Sequence, residues 1–179
     1  MSRLVKLAPA LAALTFALTA SAGGLDVKGS PSVKFHATGT GGLRIDGEGK
    51  DLKISEDGGK LVFKTSLKGL KTGIGLRDGH CQKYLDTANW PDASLTVAKD
   101  KVKFPKDGKV SSSATGEFRL HGVTKSKKFD YTAEKDGGGY KVTAKFDVDI
   151  LEHKIEQPCY LGVCMNKDVK VEVEFKAKD

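Results

Sequence analysis

The run from Val169 to Lys176 constrains the chain most. Val169, Val171, Val173 and Phe175 alternate with Lys170, Glu172, Glu174 and Lys176. A period of two marks a β-strand with one face in an apolar core and the other in water. Such a strand needs partners along both edges and a cover for its apolar face. The rest of the chain supplies them. Tyr140, Val142, Ala144, Phe146, Val148 and Ile150 alternate with polar residues, and Phe118 and Leu120 alternate with Glu117, Arg119 and His121 inside a long strand over 110–122. Phe129, Tyr131 and Ala133, then Leu61, Phe63, Thr65 and Leu67, then Val33, Phe35 and Ala37 repeat the pattern, and Leu95 and Val97 fit it briefly. Leu43 and Ile45 open one more strand, which Gly47 and Gly49 bend and Leu52 and Ile54 continue. Turn chemistry separates the runs at Asp57-Gly58-Gly59, Lys106-Asp107-Gly108 and Asp136-Gly137-Gly138-Gly139. The chain holds 21 glycines, in keeping with many tight turns and bends. The pattern predicts an all-β fold of eight antiparallel strands. An eight-stranded barrel hides its edges by closure and has room for packed side chains or one small ligand; a β-sandwich is the alternative. The inward set is rich in Phe, Leu, Val and Ala, which can fill a core or line an apolar tunnel.

One stretch breaks the pattern. From Leu70 to Leu95 the chain passes through a Gly-rich turn, Lys71-Thr72-Gly73-Ile74-Gly75, into a helical run over 76–85, and stops at Trp90-Pro91. Leu76, His80, Tyr84 and Leu85 recur at helical spacing. A lone short helix in an all-β chain is expected to bury that stripe against a sheet or across the end of a barrel.

The N-terminus reads as a leader. Arg3 and Lys6 precede an uncharged apolar run from Leu7 to Leu18, and Ala20 and Ala22 stand in the A-x-A arrangement of a cleavage site. Residues 1–22 are therefore expected to be a signal peptide and 23–179 a single domain, periplasmic or secreted. No run is long enough for a transmembrane segment. The formal charge is +7, but the basic residues are interleaved with Asp and Glu, which argues for a solvated outer face and against nucleic acid.

Three blocks carry a family resemblance. Thr72-Gly73, Leu76-Arg77-Asp78-Gly79-His80, Asp86 and Trp90-Pro91-Asp92-Ala93 form the first; Gly116 through Leu120-His121-Gly122-Val123-Thr124-Lys125 the second; Pro158, Leu161-Gly162-Val163 and Asp168-Val169 the third. In spacing and order the chain resembles the YceI-like family over essentially the whole of 23–179. The resemblance implies a lipocalin-like antiparallel barrel, periplasmic or secreted, in some members a homodimer. It implies a non-catalytic protein that binds a long apolar ligand such as a polyisoprenoid, fatty acid or fatty amide along the barrel axis. Cys81, Cys159 and Cys164 stand where the family generally has no cysteine.

The remaining chemistry is sparse. In an oxidising compartment three cysteines allow one bridge and one free thiol. Cys159 and Cys164 are five apart with Gly162 between them, so a Cys159–Cys164 disulfide is expected; Cys81 paired with either is the rival. His36, His80, His121 and His153 fall in separate elements without ligand spacing, so no metal and no cofactor is expected. Nucleophile elbows, P-loops and dinucleotide fingerprints are absent, so no catalytic residue is expected and the chain does not read as an enzyme. Arg77 suits a phosphate or carboxylate head at a barrel mouth, or an ion pair with its neighbourhood. The expected ligand-binding residues are Phe35, Phe63, Leu67, Leu76, Arg77, Trp90, Leu95, Phe118, Leu120, Tyr131, Val142 and Phe146. Two other readings stand beside the lipid carrier: a redox or stress-responsive protein using Cys81, and a structural, partner-binding barrel with a filled core.

Overall fold

The alternating runs become strands in the computed structural model, which describes residues 25–178; the leader expected over 1–22 lies outside the described residues. The strands are β1 (Asp26–Gly39), β2 (Arg44–Gly49), β3 (Lys53–Asp57), β4 (Lys60–Ser66), β5 (Asp92–Ala98), β6 (Lys109–Leu120), β7 (Val123–Asp136), β8 (Gly139–Asp149), β9 (Cys159–Tyr160) and β10 (Val163–Lys178). One helix, α1 (Gly75–Tyr84), lies between β4 and β5. Every pairing is antiparallel. The order across the sheet is β2-β1-β10-β8-β7-β6-β5-β4-β3, with β9 folded back on the start of β10. The strand with the cleanest alternation, β10, is central, flanked by β1 and β8.

The strand count exceeds eight for two reasons. The bent strand expected over 43–54 is two strands, β2 and β3, that pair with opposite ends of the sheet. Lys50-Asp51-Leu52 therefore joins the two sheet edges and forms the seam of the curl. Side chains hold that seam where no ladder does. Asp51 accepts hydrogen bonds from the Thr65 hydroxyl at 2.8 Å and the Ser66 amide at 3.1 and 3.2 Å, and Leu52 is buried against Val33 and its neighbours. Beside the seam the exposed edge of β2 is covered at one point, where Glu48 and Lys71 exchange backbone bonds of 2.8 Å. The second reason is that β10 begins at Val163, six residues before its strict alternation, and makes the short hairpin with β9. Val102 and Phe104 do not form a strand. They follow a 3-10 turn at Lys99–Lys101, and Phe104 stacks on Tyr140 with ring centroids 4.9 Å apart.

The curl has two unlike ends. Turns 57–60, 99–108 and 136–139 meet at one end, where the chain termini of the domain also lie. There the interior is plugged: Phe104 and Tyr140 stack, Phe63 and Phe175 pack at 5.7 Å, and the Tyr131 hydroxyl accepts the Lys103 amide at 2.6 Å. The other end gathers the 67–91 segment with α1, the β6–β7 turn, the Leu151–His153 turn and the β9–β10 hairpin. It is not plugged.

Candidate ligand cavity and its mouth

Between the strands the buried residues form three clusters instead of one. Half-buried Phe63, Leu95, Phe146 and Val171 bridge them. These four side chains point inward yet keep accessible surface because they border a cavity. Its volume is about 1030 Å³, room for a chain of roughly 30 heavy atoms at about 30 Å³ per water-sized group. The floor lies near Phe63, Tyr131 and Phe175 at the plugged end; the mouth lies between α1 and the β9–β10 hairpin.

Of the twelve residues expected from alternation and resemblance, all but Trp90 line this cavity. Phe35, Phe63, Leu67, Leu95, Phe118, Leu120, Tyr131, Val142 and Phe146 are inward strand or strand-end positions, and period two brings them to one face. Leu76 and Arg77 stand at the mouth on α1. Trp90 does not line the cavity. It sits outside the strand that begins at Asp92, its ring lying over Gly122 and near His121, with centroids 6.5 Å apart. Only a glycine leaves space for that ring, so Trp90 packs the outside of the β6–β7 turn.

The helix departs from expectation too. Its one buried residue is Asp78, not an apolar residue. Asp78 accepts the Thr72 amide and hydroxyl, both at 2.7 Å, and meets Lys71 at 3.7 Å. The Thr72 donors hold its carboxyl below the usual carboxylate range. This clasp pins the first turn of α1 to the loop before it. Tyr84 and Leu85 pack on the core, but Leu76 is 72% exposed. The stripe faces an opening, so its outer end stays in water.

Several lining residues escaped the sequence reading. Val169, Val171, Val173 and Phe175 line the cavity from β10, and the alternation that identified the strand also put them on this face. Cys159, Tyr160, Leu161 and Val163 reach the mouth from the hairpin, and no periodic signal marks them. Cys159 and Cys164 are disulfide-bonded and directly opposite in the β9–β10 ladder, with Cα atoms 4.1 Å apart. Cys81 is free and half-buried at the mouth. Burial pushes its thiol up, and nearby Asp78 adds to the shift, so the reactive thiolate is disfavoured.

The open end is stitched by polar groups. His153 is 0% exposed. Its Nδ1 donates to the Val123 carbonyl at 3.2 Å, and His121 Nδ1 donates to the His153 carbonyl at 3.1 Å. These bonds tie the Leu151–His153 turn across the β6–β7 turn. His153 Nε2 has no hydrogen-bond partner. No group of three His, Cys, Asp or Glu placed to hold a metal occurs among the described residues.

A YceI-like domain model matches residues 27–177. The chain belongs to the YceI-like family. Solved structures agree at the level of fold. A polyisoprenoid-binding domain from Saccharophagus degradans superposes with a TM-score of 0.70 at 14% identity, covering 87% of this chain and 97% of that one. BcnA from Burkholderia cenocepacia gives 0.66 at 11% identity, with 83% and 96% covered. A Campylobacter jejuni YceI protein gives 0.56 at 17% identity, with 75% and 85% covered. No curated protein sequence matches significantly. No helix among the described residues is long and apolar enough to cross a membrane.

Proposed function

We propose that this YceI-like protein is a non-catalytic periplasmic or secreted carrier that holds one long apolar ligand, of isoprenoid or fatty-acyl type, inside the curled sheet. The observation that carries the reading is the cavity itself: about 1030 Å³ and lined mostly by apolar side chains, with its floor near Phe63, Tyr131 and Phe175 and its mouth between α1 and the β9–β10 hairpin. Each methylene taken fully out of water contributes about 0.8 kcal/mol, so a long chain binds without any strong polar contact. Phe35, Phe63, Phe118, Phe146 and the β10 valines would grip the chain. Arg77, half-buried at the mouth and without an ion pair among the described residues, would meet a polar head. The polyisoprenoid-binding description of the Saccharophagus domain supports the same ligand class. A redox role for Cys81 is less favoured, since its environment raises the thiol pKa. A filled-core barrel is less favoured because the core is split by the cavity.

Mass spectrometry tests the reading. The mature protein, isolated from a periplasm, is weighed under native conditions and again after organic extraction. A stoichiometric long-chain adduct is expected. An apo mass that stays unchanged after isoprenoid and fatty-acid ligands are offered would refute it.

A further inference from the structure

The large apolar residues exposed among the described residues are not scattered. Ile74, Leu76, Trp90, Leu151, Tyr160, Leu161 and Val163 all belong to the open end. The turns at the plugged end carry Asp, Lys and Gly instead. Tyr160 and Leu161 are the extreme cases, at 77% and 86% exposure. They form the tip of the β9–β10 hairpin, whose base is bridged by the Cys159–Cys164 disulfide. Leu161 also has φ +47°, a left-handed conformation that costs a non-glycine residue about 1–2 kcal/mol. The backbone is a cost to the folded monomer and the exposed side chain gains it nothing in return, which points to a role outside the monomer.

We infer that the open end docks on an anionic lipid bilayer, with the Tyr160-Leu161 tip and Leu76 entering the hydrocarbon boundary and the cavity mouth laid against the membrane. This rests on the carrier reading above and adds the surface from which the ligand would be exchanged. Tyr and Leu on a rigid tip suit the headgroup–acyl boundary, where an amphipathic ring and an aliphatic chain are both accommodated. The apolar residues ride on separate projecting segments around an opening, an arrangement fluid hydrocarbon can surround without a matching rigid surface. Charge agrees on the helix side. Arg77 and Lys83 form no ion pair among the described residues, and with Lys68 and Lys71 they outnumber Asp78 and Asp86 on the 67–91 segment, where Asp78 is already met by Lys71. Glu152 and Glu156 stand on the other side, in the 151–156 segment, so Arg77 and Lys83 would face the lipid phosphates.

Vesicle flotation tests the docking. The mature protein is mixed with phosphatidylcholine vesicles containing about a third phosphatidylglycerol, and with pure phosphatidylcholine vesicles. Wild type is expected to float with the first, less with the second, and less in high salt. The double variant Tyr160→Ser, Leu161→Asn is expected to lose roughly tenfold or more of that binding. It should melt no lower than wild type, and Leu151→Ser, at an exposed residue of the same end that does not line the cavity, should lose part of the binding while still taking up ligand delivered from detergent. Ala144→Phe, which narrows the cavity from β8, is expected to do the reverse: it floats but carries less ligand. Wild type that does not float would overturn the proposal, as would a double variant that floats like wild type. So would a wild-type dimer that the double variant dissociates, because the tip would then be covered by a second copy. Flotation with no ligand ever found in the cavity would refute the carrier reading and leave docking standing.

Discussion

The two ends of the sheet use the same hairpin backbone and different side chains. At the plugged end two-residue turns are made by Gly58-Gly59, with φ +53° and +77°, and Gly137-Gly138, with φ +54° and +91°. At the open end the corresponding pairs are His121-Gly122, with φ +50° and +74°, and Leu161-Gly162, with φ +47° and +79°. Both residues of such a turn take left-handed conformations because that twist matches the strands on either side. Glycine does so without strain; a residue with a Cβ does not. The plugged end therefore spends nothing on side chains at its turns. The open end accepts strain at both of its hairpin turns. His121 recovers some of it through its bond to the His153 carbonyl; Leu161 makes no comparable contact. One end is built for closure and the other to present side chains.

The largest effects should divide along the same line. Leu61, on β4, is 0% exposed among Val97, Phe129 and Tyr131. Leu61→Ala is expected to cost about 3 kcal/mol in urea unfolding, from lost transfer energy plus the void left behind. Leu76→Ala removes the same atoms at the mouth and is expected to stay within about 0.5 kcal/mol of wild type. Comparable losses at both sites would mean that the mouth is part of the core, and the contrast between the ends would break. The disulfide comes next. Replacing Cys159 and Cys164 together by Ser should cost about 2 kcal/mol, the modest value expected for so short a loop. Limited proteolysis should then find its first cut in the hairpin. A first cut elsewhere would mean that the bridge is not what keeps the tip ordered.

Much of this molecule could be read before its structure. Period-two runs placed the strands, and β10 was legible because every second residue is a valine or phenylalanine. The same alternation supplied most of the cavity lining, since a strand that curls has its inward residues on the cavity whether it is filled or not. What stayed hidden depends on long-range register. Nothing in Leu43–Ile54 says that the bend at Gly47–Gly49 is where the chain leaves one sheet edge for the other. Trp90 reads as ligand-binding lining, and only the position of Gly122 across the turn puts its ring outside. Nothing in the sequence marks Asp78 as buried; its burial follows from Thr72 lying six residues back in a turn whose shape the sequence does not specify. The hairpin lining is invisible for a simpler reason: Tyr160 and Leu161 belong to a two-residue strand and its turn, too short for any period.

Exchanging turn residues between the ends sharpens the comparison at smaller scale. Leu161→Asn relieves a left-handed leucine and is expected to stabilise the fold by about 1 kcal/mol. Gly58→Leu imposes the same strain where no atom lies within 4 Å of the new Cβ, and should cost about 1–2 kcal/mol. Thermal melts of the two variants should move in opposite directions. Equal shifts of the same sign would show that the hairpins differ in something other than the backbone strain at their first turn residue.

The smallest effect separates the ends by pH. The plugged end is held by aromatic and aliphatic contacts, whereas the open end is held partly by His153. Desolvation holds the His153 pKa below its ordinary value of 6.5, against the pull of the backbone carbonyls beside it. The folded state therefore prefers the neutral ring, and the unfolded chain binds a proton that the folded one resists. The stability linked to this difference is fully present above about pH 6.5, where the unfolded histidine is also neutral, and is lost as the pH falls from there through the lower folded value. Asp78 and Asp149, whose folded pKa values are depressed below 3.8 by hydrogen bonds from Thr72 and Lys167, lose their share only in more acid solution. As the pH falls below about 6.5, His153 should thus contribute a slope of its own, and His153→Gln should flatten that part of the profile whatever its own stability. Hydrogen exchange should locate the effect in the β6–β7 turn and the Leu151–His153 turn first. A variant with an unchanged slope would mean that the ring is solvated in the native state and that the open end is held by its packing alone.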